Sequence, residues 1–158
     1  MKKTILILVL LVPAGTFLFL KFFGKNEFDI PVYYQEGVEL PPADCHRAYE
    51  TPYLVPAALL NNIGWHGRPL LLVTDSSSVV QKGIMSLEEG IRSVVQTIFL
   101  EGKKNDQIEL VTCDLLLKSP FTVVLIDDQR RIRGYYNPED REELDRLTVE
   151  LEILIKQY

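Results

Sequence analysis

Cysteine is scarce in this chain. There are two, Cys45 and Cys113, set far apart, so no CxxC or CxxxC pair exists. That excludes the close-spaced dithiol motifs that announce a local metal or redox centre. A GxSxG elbow, a glycine-rich phosphate loop and an HExxH helix are also missing, which removes the local signatures of serine hydrolases, nucleotide binders and zincins. Positive charge is short as well. Against 22 Asp and Glu there are 17 Lys and Arg, and four of those (Lys2, Lys3, Lys21 and Lys25) precede the first acidic residue. Beyond Lys25, thirteen basic residues face all 22 acidic ones, a net charge of −9. Such a surface disfavours nucleic acid and anionic lipid. It suits a basic protein partner such as a c-type cytochrome, and equally it serves plain solubility. No internal repeat or low-complexity tract is present.

The N-terminus supplies what the rest lacks, an apolar run. Residues 4–20 carry no charge and as a helix would extend about 26 Å. Phe22 and Phe23 lengthen the run to residue 23 if Lys21 snorkels, approaching the roughly 30 Å of a bilayer core. Pro13 is tolerated in a membrane helix. A cleaved signal peptide is the competing expectation, but its apolar region is usually shorter and is followed by a small-x-small site, which is not seen here. Lys2 and Lys3 before the run, with Lys21 and Lys25 diluted by Glu27 and Asp29 after it, favour an N-terminus in the cytoplasm. The sequence therefore predicts an anchor over residues 1–25, a Pro- and Tyr-rich approach segment over 26–65 and one domain over 66–158. At 158 residues and 18.1 kDa there is room for one real core.

Within the domain, Leu70, Leu71, Leu72 and Val73 form an apolar run of strand length after Arg68-Pro69. A polar loop follows from Thr74. Ser86-Leu87-Glu88-Glu89 reads as a capping box, and Leu87, Ile91, Val94, Val95 and Ile98 recur at helical spacing, predicting a helix over 87–100. Ile108, Leu110 and Thr112 alternate with their neighbours as a third strand. Residues 121–126 are a buried strand led by Pro120, and Ile132 to Tyr136 is its hairpin partner, with Gly134 at a bulge or close backbone approach. Asn137 is placed to cap a helix opening at Pro138, and Leu144, Leu147, Leu151 and Leu154 make its apolar stripe. In the approach segment, 28–34 is a candidate short strand and 57–63 a helical turn or two. The pairs Glu88-Glu89, Asp127-Asp128 and Glu142-Glu143 read as solvated faces or turns.

The order strand, hairpin and helix over 119–158 resembles the C-terminal half of a thioredoxin-like domain. The wording SPFTVVLIDDQRRIRGYYNPEDREELDRL is similar to the Sco/SenC family of membrane-anchored copper proteins that help assemble cytochrome c oxidase. The likeness extends over about 67–155 and is specific over 119–147. It implies an α/β thioredoxin-like fold behind an N-terminal transmembrane helix, anchored in the inner membrane with its domain in the periplasm. The fold would be truncated, because only 114–119 separates the third strand from the Pro-led one, where a parallel crossover takes a dozen residues or more. The second helix would be missing or vestigial. The likeness also implies a cis proline at Pro120, although a proline ahead of a strand is common in any fold.

The same comparison marks what is absent. The family's CxxxC pair belongs in the loop after the first core strand, and here that loop reads TDSSSVVQKGIMS. Its histidine belongs near Leu117-Lys118-Ser119, where there is none. Ser76, Ser77 and Ser78 offer only hard, neutral donors, unsuited to copper. No catalytic, cofactor-binding or metal residue is thus expected. A sharper alternative joins Cys45, His46 and Cys113, with or without His66, around copper, although adjacent residues seldom ligate one ion without further donors. Cys45 and Cys113 otherwise either form one disulfide, a stabilisation of about 4 kcal/mol, or remain a buried Cys113 and an exposed Cys45. The expected role is a non-catalytic protein-interaction or accessory factor in respiratory oxidase assembly. The alternatives are an active copper chaperone or thiol oxidoreductase using Cys45 and Cys113, and a structural subunit of a membrane complex.

Overall fold

A computed structural model describes residues 11–13, 15–19, 21, 29–75, 77–100 and 110–156. Strand β1 (Leu70–Val73) is the centre of the sheet. It pairs in parallel with β2 (Gln96–Phe99), Leu70 opposite Gln96, and antiparallel with β3 (Val123–Ile126), Leu70 opposite Ile126. Strand β4 (Ile132–Tyr136) pairs antiparallel with β3, which sets the order β2-β1-β3-β4. Helix α1 (Ala57–Asn62) precedes β1, α2 (Ser78–Met85) and α3 (Glu89–Val94) connect β1 to β2, and α4 (Arg141–Lys156) follows the hairpin.

Alternation of side chains along each strand divides the core in two. Leu71 and Val73 of β1, Val123 and Leu125 of β3 and Tyr136 of β4 face a cluster closed by Val80 and Ile84 of α2, Ile91 of α3 and Leu147, Leu151 and Leu154 of α4. Leu70, Leu72, Val124, Ile126 and Tyr135 face the opposite cluster, closed by Tyr53, Val55, Leu60 and the run Leu115, Leu116 and Leu117. Every residue of β1, β3 and β4 is buried, as short strands covered on both sides must be.

Two glycines are required by close approach. A Cβ on Gly134 would collide with the Tyr136 ring, beside the register shift between Leu125 and Ile126. A Cβ on Gly83 would lie 3.1 Å from Pro138 Cβ, so the missing side chain lets α2 pack against the chain entering α4.

Several expectations change. The helix expected over 87–100 is two elements. α3 stops at Val94 and the chain continues as β2, where Ile98 and Phe99 face opposite core clusters, a period of two that the helical spacing of Val94, Val95 and Ile98 masks. The capping box is not made: Ser86 ends α2, and its hydroxyl donates to Gly83 O at 2.7 Å. The loop after β1 contains α2, whose first turn is capped by Ser77 Oγ accepting from Val80 N. The third strand expected over 108–112 is a turn of π-helix, Leu110–Asp114, and 108 and 109 lie outside the described residues. The Pro-led strand β3 runs antiparallel to β1 and β2, so no parallel crossover leads into it, and the parallel connection is the one from β1 to β2 through α2 and α3. At the last helix the cap is Asp140, whose Oδ1 accepts from Glu142 N at 2.9 Å, while Asn137 Oδ1 accepts from Glu139 N one turn earlier. Residues 29–34 form no strand, although Tyr33 N donates to Ile132 O at 2.9 Å.

The fold class itself is corrected. A truncated thioredoxin-like domain behind an N-terminal transmembrane helix gives way to a small α/β domain with a four-stranded mixed sheet. Most of the expected span over 4–23 lies outside the described residues. Its described residues, 11–13, 15–19 and 21, are helical and exposed. Among the described residues no helix is long and apolar enough to cross a membrane. The uncharged run 4–20 is itself a few ångströms short of a bilayer core of about 30 Å. Single-pass anchoring in the inner membrane, and the periplasmic placement that depended on it, are not carried forward.

Candidate functional site: a cleft at the end of the central strand

β1 ends on polar residues. Thr74 holds the edge of β3 through two bonds to one carbonyl: its N donates to Thr122 O at 2.9 Å and its Oγ1 at 3.0 Å. Thr122 N in turn donates to Tyr136 O at 3.0 Å, so the residue after Phe121 is fixed from both neighbouring strands. Asp75 Oδ1 accepts from Ser77 N at 2.9 Å, turning the chain into α2. Facing this strand end is the loop Lys118-Ser119-Pro120-Phe121, with a cis peptide between Ser119 and Pro120 and a tight turn closed by Phe121 N donating to Lys118 O.

Between the strand end and the loop lies a cleft of about 470 Å³, walled by Thr74, Asp75, Val111, Leu117, Pro120 and Phe121. Lys118, Ser119 and Pro120 are exposed at its rim. The backbone N–H and carbonyl of Ser119 have no hydrogen-bond partner among the described residues, and the buried Thr122 Oγ1 in the cleft wall has none either. The cleft therefore offers backbone donors and acceptors beside apolar walls. Among the described residues it presents no paired nucleophile and base.

The cysteines are elsewhere. Cys45 and Cys113 are joined by a disulfide with their Cα atoms 5.6 Å apart. Cu(I) requires thiolate sulfur, which a disulfide does not supply. His46 and His66 are exposed, and among the described residues no three His, Cys, Asp or Glu side chains gather as a metal group. The disulfide instead belongs to a seam between the approach segment and the π-turn. Arg47 Nη1 meets Asp114 Oδ1 at 2.6 Å. Tyr49, Tyr53 and Tyr135 donate their hydroxyls to the successive carbonyls of Cys113, Asp114 and Leu115, at 3.1, 2.6 and 2.8 Å. Burial pushes the Tyr53 and Tyr135 hydroxyls far above the ordinary tyrosine range, and for Tyr135 the hydrogen bond to Tyr34 adds to the shift. Both stay neutral donors.

Asp127 is not a solvated turn residue. It is fully buried and accepts from Gln129 N, Arg131 N, Arg131 Nε and Arg133 Nη1, at 3.0, 2.9, 2.6 and 3.2 Å. Arg133, also buried, donates on to Ile30 O at 2.7 Å, tying the hairpin to the start of the described domain. The tyrosine seam has no local signature because its partners are distant in sequence, whereas the partners of Asp127 are near in sequence and only its burial turns an acidic turn residue into a node.

The chain matches no family model, no curated protein and no solved structure.

Proposed function

We propose that this protein is a non-catalytic interaction module that takes an extended polypeptide segment in the cleft beside Ser119. The observation that carries this reading is the unpaired backbone N–H and carbonyl of Ser119 at the rim of an apolar-walled cleft. An extended segment laid along the loop pairs with those two groups as an added strand does, and places side chains against Val111, Leu117 and Phe121. An accessory role in respiratory oxidase assembly is the role implied by the likeness over 119–158.

Peptides selected from a random displayed library on the immobilised full-length chain, then measured by fluorescence anisotropy, test the proposal. Ser119→Pro, which removes the N–H, weakens binding by at least about tenfold, one hydrogen bond's worth in a desolvated site. Glu152→Arg on the far face of α4 leaves it unchanged. Equal affinity of Ser119→Pro and the parent chain overturns the reading. Stoichiometric Cu(I) binding by the reduced chain, lost in Cys45→Ser, would favour the copper-chaperone alternative instead.

A further inference from the structure

The chain between Tyr34 and Tyr53 is a closed loop. Tyr53 N donates to Tyr34 O at 3.0 Å, so its two ends meet on the sheet while residues 35–52 run out over the surface. Most of these residues are exposed, Leu40 at 81%. Val38 and Tyr49 are the members of the loop that pack on the core cluster. The loop forms one wall of a second cavity, of about 460 Å³, whose opposite wall is Leu116 and Lys118. Lys118 also lines the cleft beside Ser119. The tip of the loop, beyond the residues that line this cavity, is fastened to the π-turn by the Cys45–Cys113 disulfide, with Arg47–Asp114 and the Tyr49 hydroxyl beside it.

We infer that the 35–52 loop is a redox-released strap, clasped to the π-turn while the disulfide is intact and freed when a dithiol reductant opens it. The two ends of the bridge differ in the way this requires. Cys45 is partly exposed on the surface loop, whereas Cys113 is buried in the π-turn. A dithiol's thiolate attacks the accessible Cys45 Sγ, forming a mixed disulfide and expelling Cys113 as a thiolate that takes up a proton. The second thiol then attacks the mixed disulfide. It releases Cys45, also protonated on leaving, and departs as the oxidised cyclic disulfide, so two electrons pass from the dithiol to the pair. The ends of the strap do not depend on the bridge, because Tyr53 and Val55 are buried in the core and Val55 N donates to Arg130 O at 2.9 Å. The anchored ends keep Cys45 tethered within reach of Cys113, so the clasp can close again on oxidation. This inference goes beyond the interaction reading and stands whatever the cleft binds.

Arg47 is the sole Lys or Arg within 35–52, so trypsin reports on the strap at one bond. Full-length chain, oxidised or reduced with dithiothreitol and desalted anaerobically, is digested and cleavage after Arg47 is followed by mass spectrometry beside cleavage after Arg133 in β4. Reduction accelerates the Arg47 cut at least about tenfold, and in the reduced chain Arg47 is cut well ahead of Arg133, as expected of local opening. Cys45→Ser reproduces the effect without reductant, and the reduced parent chain keeps the test sound if that variant fails to fold. An Arg47 rate unaffected by reduction overturns the inference. So does cleavage of the reduced chain at Arg47 and Arg133 at the same rate, which would mean that the strap opens only when the whole domain unfolds.

Discussion

Leu71 and Val73 of β1 project into a face covered by helices, while their neighbours Leu70 and Leu72 project into one covered by chain that is irregular apart from α1 and a π-turn. The first cover is aliphatic and needs little polar help, since helices bond their own backbone. The second cannot do so. Its buried carbonyls must find donors, because an unpaired buried group costs about 1–3 kcal/mol. Tyr49, Tyr53 and Tyr135 supply them at Cys113, Asp114 and Leu115, with the disulfide in the same seam. Tyrosine does here what leucine does on the other side: it fills volume, and its hydroxyl also ends an orphaned carbonyl.

Removing the bridge breaks the comparison hardest. The double variant Cys45→Ser, Cys113→Ser should lose about 4 kcal/mol in chemical denaturation, since the bridge closes a separation of 68 residues. On the helical face, Leu147→Ala opens a cavity under a fully buried side chain and should cost about 3 kcal/mol. Tyr135→Phe keeps the ring and leaves Leu115 O unpaired in the core, for a loss of about 2 kcal/mol. Alkaline pH sharpens the contrast further. Burial, the largest cause in each case, raises the Tyr53 and Tyr135 pKa values above their unfolded value. Their stabilisation is fully present below about pH 10, where unfolded tyrosine titrates, and is lost above it, by about 1.4 kcal/mol per tyrosine at pH 11. Urea titrations from pH 8 to 11 should show that fall, with a smaller one in Tyr135→Phe. Tyr49→Phe should have the smallest effect, about 0.5 kcal/mol, its bond to Cys113 O being long and only part-buried.

What could be read in the sequence follows the same division. The hairpin of β3 and β4 and the stripe of α4 announce themselves through local period, and the structure contains both. β2 was hidden because Val94, Val95 and Ile98 lie at helical spacing across its start, and a parallel crossover into β3 looked truncated although β3 is antiparallel to β1 and needs none. The irregular face was nearly invisible. Tyr49 and Cys113 are bonded across 64 positions, and nothing near either residue announces the other. Ser119-Pro120 stood out as a punctuation mark, but the cleft beside it depends on Val111 and Leu117, which had been assigned to a strand and to a connecting loop. The N-terminal apolar run carried more weight in the reading than the described residues support.

Amide chemical-shift mapping of the full-length chain with a selected peptide tests the interaction reading most directly. Perturbations centred on Thr74, Asp75, Lys118, Ser119 and Phe121, with β2 and the Cys45 tip unmoved, are the expected result. Perturbations centred on the β2 edge or the Cys45 tip, with Ser119 silent, would contradict it.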